Sequence, residues 1–125
     1  MSAGEKLQAA AIAALKAMGR FGVYEGPPVQ AVMPHAIVEA GPESDWSHKS
    51  GAGREVRLAV TLKDVGERPV RLRALMDEAE AALEGLAPDG WQLVTMRMMR
   101  SGMARDAKGV WTGASDYRAR MLKLE

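Results

Sequence analysis

His35 and His48 are the only imidazoles in the chain, and with no cysteine present there is no thiol nucleophile. A nucleophilic site needs serine or threonine within hydrogen-bond reach of a base, and a third group to orient it. His48 lies in a Ser/Gly-rich stretch and His35 opens a short apolar run behind Pro34, so both read as ordinary surface or edge histidines. Asp45-Trp46-Ser47-His48 supplies one carboxylate and one imidazole, too few for a three- or four-ligand metal site. Asp77, Glu80 and Glu84 fall at i, i+3 and i+7 and so share one face of a helix. Carboxylates so placed do acid–base work only when buried together, and here the apolar stripe of the same segment lies elsewhere. A solvated face is the simple reading, and the wall of a channel or a subunit contact is another.

Gly51-Ala52-Gly53 resembles part of a phosphate-binding glycine pattern, but it leads into a strand and not into a helix N-terminus. Arg97, Arg100, Arg118 and Arg120 have the spacing of a basic stripe across paired strands, as in some nucleic-acid binders. Few aromatics accompany them, and Trp91, Trp111 and Tyr117 are of the kind that packs inward. Met96, Met98, Met99 and Met103 cluster nearby, suited to filling an irregular core or an adaptable interface. Met98 and Met99 are adjacent, so in a strand they face opposite ways and one of them meets something outside the core. Neither a catalytic site, a metal nor a cofactor is expected.

The elements that position these residues follow from patterning. Leu7, Ala11, Ala14, Leu15 and Met18 recur at helical spacing, and Gly19 ends that helix. Short extended pieces follow around Gly26-Pro27-Pro28, and Ala36-Ile37-Val38 suits a buried strand. Residues 41–53 collect Gly, Pro and Ser, which predicts a long mobile loop with Trp46 isolated inside it. Val56, Leu58, Val60 and Leu62 alternate with Arg57, Ala59 and Thr61, as in a half-buried strand. Beyond Pro69 a second helix carries Leu72, Leu75, Met76, Ala79, Ala82, Leu83 and Leu86 on one side. Residues 91–100 and 115–124 read as antiparallel strands joined through Asp106-Ala107-Lys108-Gly109, a C-terminal β-hairpin. The expected fold is α+β, an antiparallel β-sheet with two α-helices packed on one face, all in one domain spanning 1–125.

At 125 residues, 47% hydrophobic and 26% charged, the composition suits a soluble globular chain. No apolar run reaches the ~20 residues of a membrane span, and the N-terminus lacks the pattern of a signal peptide. Synthesis in the bacterial cytoplasm is the expectation. Charge is uneven: residues 66–90 hold six acidic and three basic side chains, whereas 91–125 hold seven basic and three acidic. Such asymmetry suits head-to-tail self-association.

In order along the chain, several pieces resemble the tail terminator (tail-completion, minor tail) proteins of siphophages and gene transfer agents. They are the Leu7-Gln8-Ala9-Ala10 … Ala14-Leu15-Lys16 helix, Val23-Tyr24 before Pro27-Pro28, Pro34-His35-Ala36-Ile37-Val38, Asp45-Trp46-Ser47-His48-Lys49, the alternating strand, the second helix and the basic hairpin. The resemblance implies a structural virion protein and not an enzyme. It implies a homo-hexameric ring at the head-proximal end of the tail tube that stops tube polymerisation and joins the tail to the head connector, or stopper. Its partners would be further copies of itself, the tail tube protein and the connector, with DNA as passing cargo and no membrane. On this reading Trp46, His48, Lys49, Arg54, Met98, Arg100, Arg118 and Arg120 are candidates for subunit or tail-tube contacts. Asp77, Glu80 and Glu84 are candidates for the lumen or an acidic interface. The competing readings are a small α/β nucleic-acid-binding module that uses the basic C-terminal hairpin, and a small enzyme or ligand-binding domain of the same fold class.

Overall fold

Two central strands set the layout. The computed structural model describes residues 2–125. In chain order the elements are α1 (Ala3–Ala17), β1 (Gly22–Tyr24), β2 (His35–Asp45), β3 (Gly53–Val65), α2 (Val70–Ala82), β4 (Trp91–Arg105) and β5 (Val110–Lys123). The sheet runs in the order β1-β2-β3-β5-β4. Val56, Leu58, Val60 and Leu62 of β3 and Tyr117, Ala119 and Met121 of β5 are buried beneath Leu7, Ala11 and Leu15 of α1 and Leu72, Leu75 and Ala79 of α2. Period-2 and helical stripes therefore meet in one apolar layer, with both helices on the same side of the sheet.

Local signals fix the ends. Ser2 accepts from the Glu5 amide while Glu5 Oε1 accepts from the Ser2 amide, each at 3.2 Å, a reciprocal cap that starts α1. Gly19, at φ 66°, stops it. In the 106–109 turn, Asp106 Oδ1 accepts from the Lys108 and Val110 amides, and the Val110 bond foremost holds the carboxyl below its ordinary pKa.

The structure corrects several expectations. The long loop over 41–53 shrinks to residues 46–52, because β2 continues to Asp45 and β3 starts at Gly53. Gly41 and Pro42 do not break the strand; they sit where the β2–β3 register shifts between Ala40 and Glu43, and a bulge takes up both residues. The sheet is mostly antiparallel but carries one parallel pair, β1 on β2, with Val23 opposite Ala36. The final hairpin is longer than expected, since β4 stays paired to Arg105 opposite Trp111. His35 is not a surface histidine: it is 5% exposed, with its ring edge-on to Tyr24 at 5.9 Å.

One polar pair anchors α2 to β3. The Asp64 carboxylate, 2% exposed, accepts from Arg71 Nε at 2.7 Å and Nη2 at 2.5 Å, and from the Val65 amide. Arg71 foremost holds the Asp64 carboxyl below its ordinary pKa, against the opposing effect of burial. This stabilisation is present above the unfolded pKa of about 3.9 and is lost as pH falls through the lower folded value. Arg71 remains solvent-facing, which screens the pair. Asp64→Asn is expected to cost about 1–2 kcal/mol at neutral pH. It should also lose less stability than the parent on acidification; urea unfolding of both proteins across pH 2.5–7 (about the carboxylate range) checks this.

Candidate assembly surfaces

The sheet face away from the helices is open, and its charges are set by strand alternation. Arg57 of β3, Arg118 of β5 and Arg97 of β4 lie directly abreast across three neighbouring strands. Like charges so placed repel. Adjacent carboxylates offset this. Glu55 Oε1 accepts from Arg120 Nε at 3.1 Å and lies 3.8 Å from Arg118 Nε, while Asp116 accepts from Arg100 Nε at 3.3 Å. Arg118 is the most enclosed of the group, its Nε buried without a hydrogen bond.

The 46–52 tip joins this face. The Trp46 ring meets His48 edge-on at 4.5 Å, and the Arg120 guanidinium sits 5.7 Å from the indole centroid. Trp46 and Gly53 are tied through a 2.9 Å backbone bond, and Ser47 Oγ donates to Asp45 at 2.6 Å while accepting from the Gly53 amide. The tip is therefore a built turn, and Trp46 is half-buried against it. A Cβ at Gly53 would run into the Trp46 carbonyl, which is why only glycine fits there.

Of the sequence candidates, Trp46, His48, Arg118 and Arg120 converge on this corner through Glu55, and Arg100 lies on the same face beside Asp116. Lys49 is exposed in the tip. Arg54 does not join them: it pairs across from Met121, whose side chain is in the core, so alternation turns it to the helix side. Met98 also belongs to the helix side, opposite Tyr117, whereas Met99 faces out and is 45% exposed. Alternation puts the two methionines on opposite faces, and the bulge between Met98 and Arg100 lets Met99 share the open face with Arg100.

Asp77 and Glu80 are exposed on α2, whereas Glu84 lies past its end, in the turn after Ala82. These carboxylates lie on the helix layer beside Arg71 and Arg73, and the arginine row of β3, β5 and β4 lies on the far face of the sheet. Burial first, and the charge of Glu80 second, push the Tyr117 hydroxyl up to about 12. Sequence reasoning missed Arg57 and Glu55; the alternation of β3 was the available signal for both.

Among the described residues no cluster of three metal-binding side chains occurs, and no helix is long and apolar enough to cross a membrane. Glu55→Gln leaves the arginine row without its nearest carboxylate. The expected result is a loss of about 1 kcal/mol at low salt that shrinks as salt is added, read from thermal unfolding at several ionic strengths.

No curated protein matches the chain. Among solved structures, a chain of the "Virion of native gene transfer agent (GTA) particle" superposes with a TM-score of 0.74 at 24% identity, over 98% of this chain and 99% of that one. At that identity the likeness is one of fold. A family model described as "Tail completion protein gp17" matches residues 6–122, and with nearly the whole length covered the chain belongs to that tail completion family.

Proposed function

We infer that this tail completion protein is the subunit of a ring at the head-proximal end of a phage or gene transfer agent tail tube, where it stops tube polymerisation and joins the tail to the head connector. The reading is carried by family membership over residues 6–122, together with acidic and basic patches on different parts of one chain. Asp77, Glu80 and Glu84 belong to the helix layer and Arg57, Arg97, Arg100, Arg118 and Arg120 to the open sheet face. A heterologous contact sets one patch of a copy against a different, oppositely charged patch of the next, and closes into a ring when the rotation between neighbours is right. The likeness of fold to a chain of a gene transfer agent virion supports the same setting.

The remaining partners follow from that position: further copies of the chain, most simply six, the tail tube protein on one side and the connector on the other. DNA passes through as cargo, and the exposed carboxylates of α2 suit a lumen wall that does not hold it. The Trp46–His48–Arg120 corner, with Lys49 at its tip, is the candidate contact with the tube or the neighbouring subunit. The competing reading of a basic nucleic-acid-binding hairpin is weakened by Glu55 and Asp116, which already counter Arg118, Arg120 and Arg100.

Electron microscopy of particles made without the protein is the test. Overlong tails, or tails separated from heads, are expected; particles of normal length and attachment would remove the proposed role. Particles carrying Trp46→Ala should show the same defect in part.

A further inference from the structure

At the outer edge of the sheet, β4 has no buried residue over its whole length. Its helix-side methionines, Met98 and Met103, face Met76 of α2 across a groove of about 500 Å³ floored by Ser101 and Gly102 and rimmed by Asp77, Glu80 and Arg73. α2 packs over β3 and β5 and leaves this groove uncovered. Flexible thioethers around small residues make a surface that adapts to an inserted apolar group.

The opposite edge carries a fitting projection. Residues 25–34 link the parallel strands β1 and β2 at this edge of the sheet. Val29 is 100% exposed and Val32 85% exposed, on a segment bounded by Pro27, Pro28 and Pro34. Single exposed valines are common, but two on a proline-stiffened arm lose little conformational freedom on docking.

Strand register places the two features level. His35, where the arm rejoins the sheet, lies abreast of Lys63, Thr112 and Ala104, and Ile37 abreast of Thr61, Ala114 and Gly102. The arm and the Met103 end of the groove are therefore at one height, separated by the width of the sheet, about 19 Å for four strand spacings. They cannot meet within one copy. The edges are also oppositely charged. Beyond the short β1, the free edge of β2 exposes Glu39, Glu43 and Asp45, while β4 exposes Arg97, Arg100 and Arg105. Glu39 is level with Ala59, Asp116 and Arg100, so neighbours set side by side bring Glu39 of one copy to the height of Arg100 of the next. Pro42 and its bulge, which lack a regular run of amide donors, discourage plain strand-to-strand addition at this edge.

We propose that the Pro27–Pro34 arm of one copy seats Val29 and Val32 in the methionine groove between α2 and β4 of the next copy. The proposal rests on the ring reading above and names its interlocking contact. The chain has no cysteine, so introduced ones report alone. Val32→Cys protein is mixed with Met103→Cys protein and oxidised, beside a control mixture of Val32→Cys with Gln92→Cys at the far end of β4. A disulfide between copies is expected in the first mixture and not in the second. On single variants of the full chain, native mass measurement should show Val32→Glu, which meets Asp77 and Glu80 with only Arg73 to offset them, assembling about threefold more weakly than Val32→Lys. An oligomer that forms without the Val32–Met103 link, or that ignores the sign of the charge, overturns the arm contact and leaves the ring. A chain that stays single at every concentration, with normal particles in its absence, overturns both.

Discussion

Burial of the two central strands under only two helices is the constraint on which everything else depends. An α-helix with its side chains is about 10 Å wide and strands are spaced about 4.8 Å apart, so each helix covers about two strands. α1 lies over β1, β2 and β3, and α2 over β3 and β5. The fifth strand in the order has no helix above it, and β4 accordingly keeps Leu93, Met96, Met98 and Met103 only half-buried. A third helix would have closed the layer. Its absence leaves a stretch of apolar sheet half-covered, and methionine suits such a place because it packs acceptably whether or not a partner is present.

The other face answers to a different balance. With nothing packed on it, the sheet can carry charge freely, yet Arg57, Arg118 and Arg97 abreast cost stability unless neighbours offset them. Glu55 and Asp116 do so one register step away on either side, and the hairpin tip adds Trp46 against Arg120. Arg118 and Arg120, beside Glu55 and the Trp46 indole, are thereby given defined directions, whereas Arg100 stays 83% exposed beside Asp116. Arg57 and Arg97 have no carboxylate within salt-bridge distance among the described residues, which leaves net positive charge on this side.

Much of this layout is legible in the sequence, and the parts that are not share a cause. The alternation of Val56 to Leu62, the stripes of both helices and the Asp106–Gly109 turn are local signals, and local structure obeys them. The 41–53 stretch misleads because Gly and Pro there mark a bulge within a strand, which composition does not distinguish from a loop. The Asp64–Arg71 pair spans a strand-to-helix junction, so no single periodicity contains it. The convergence of Trp46, His48, Arg118 and Arg120 depends on β3–β5 register, which only the assembled sheet fixes. Arg54 is the instructive case: counting back from Val56 by two already puts it on the helix side, so its separation from Arg118 and Arg120 could have been read from the sequence alone.

The charge layout also bears on the kind of symmetry these surfaces can support. A two-fold contact uses the same patch on both copies, so two β4 edges set together would oppose arginine to arginine, and two β2 edges carboxylate to carboxylate. A heterologous contact sets the β2 edge against the β4 edge and avoids both. Such contacts form rings when the operator carries no rise along its axis and filaments when it does. Because the 25–34 arm and the Met103 end of the groove are level in strand register, the proposed contact relates neighbours by a sideways step with little rise along the strands. Where the strands run along the assembly axis, such a step lets a ring close, provided the rotation between neighbours divides a full turn.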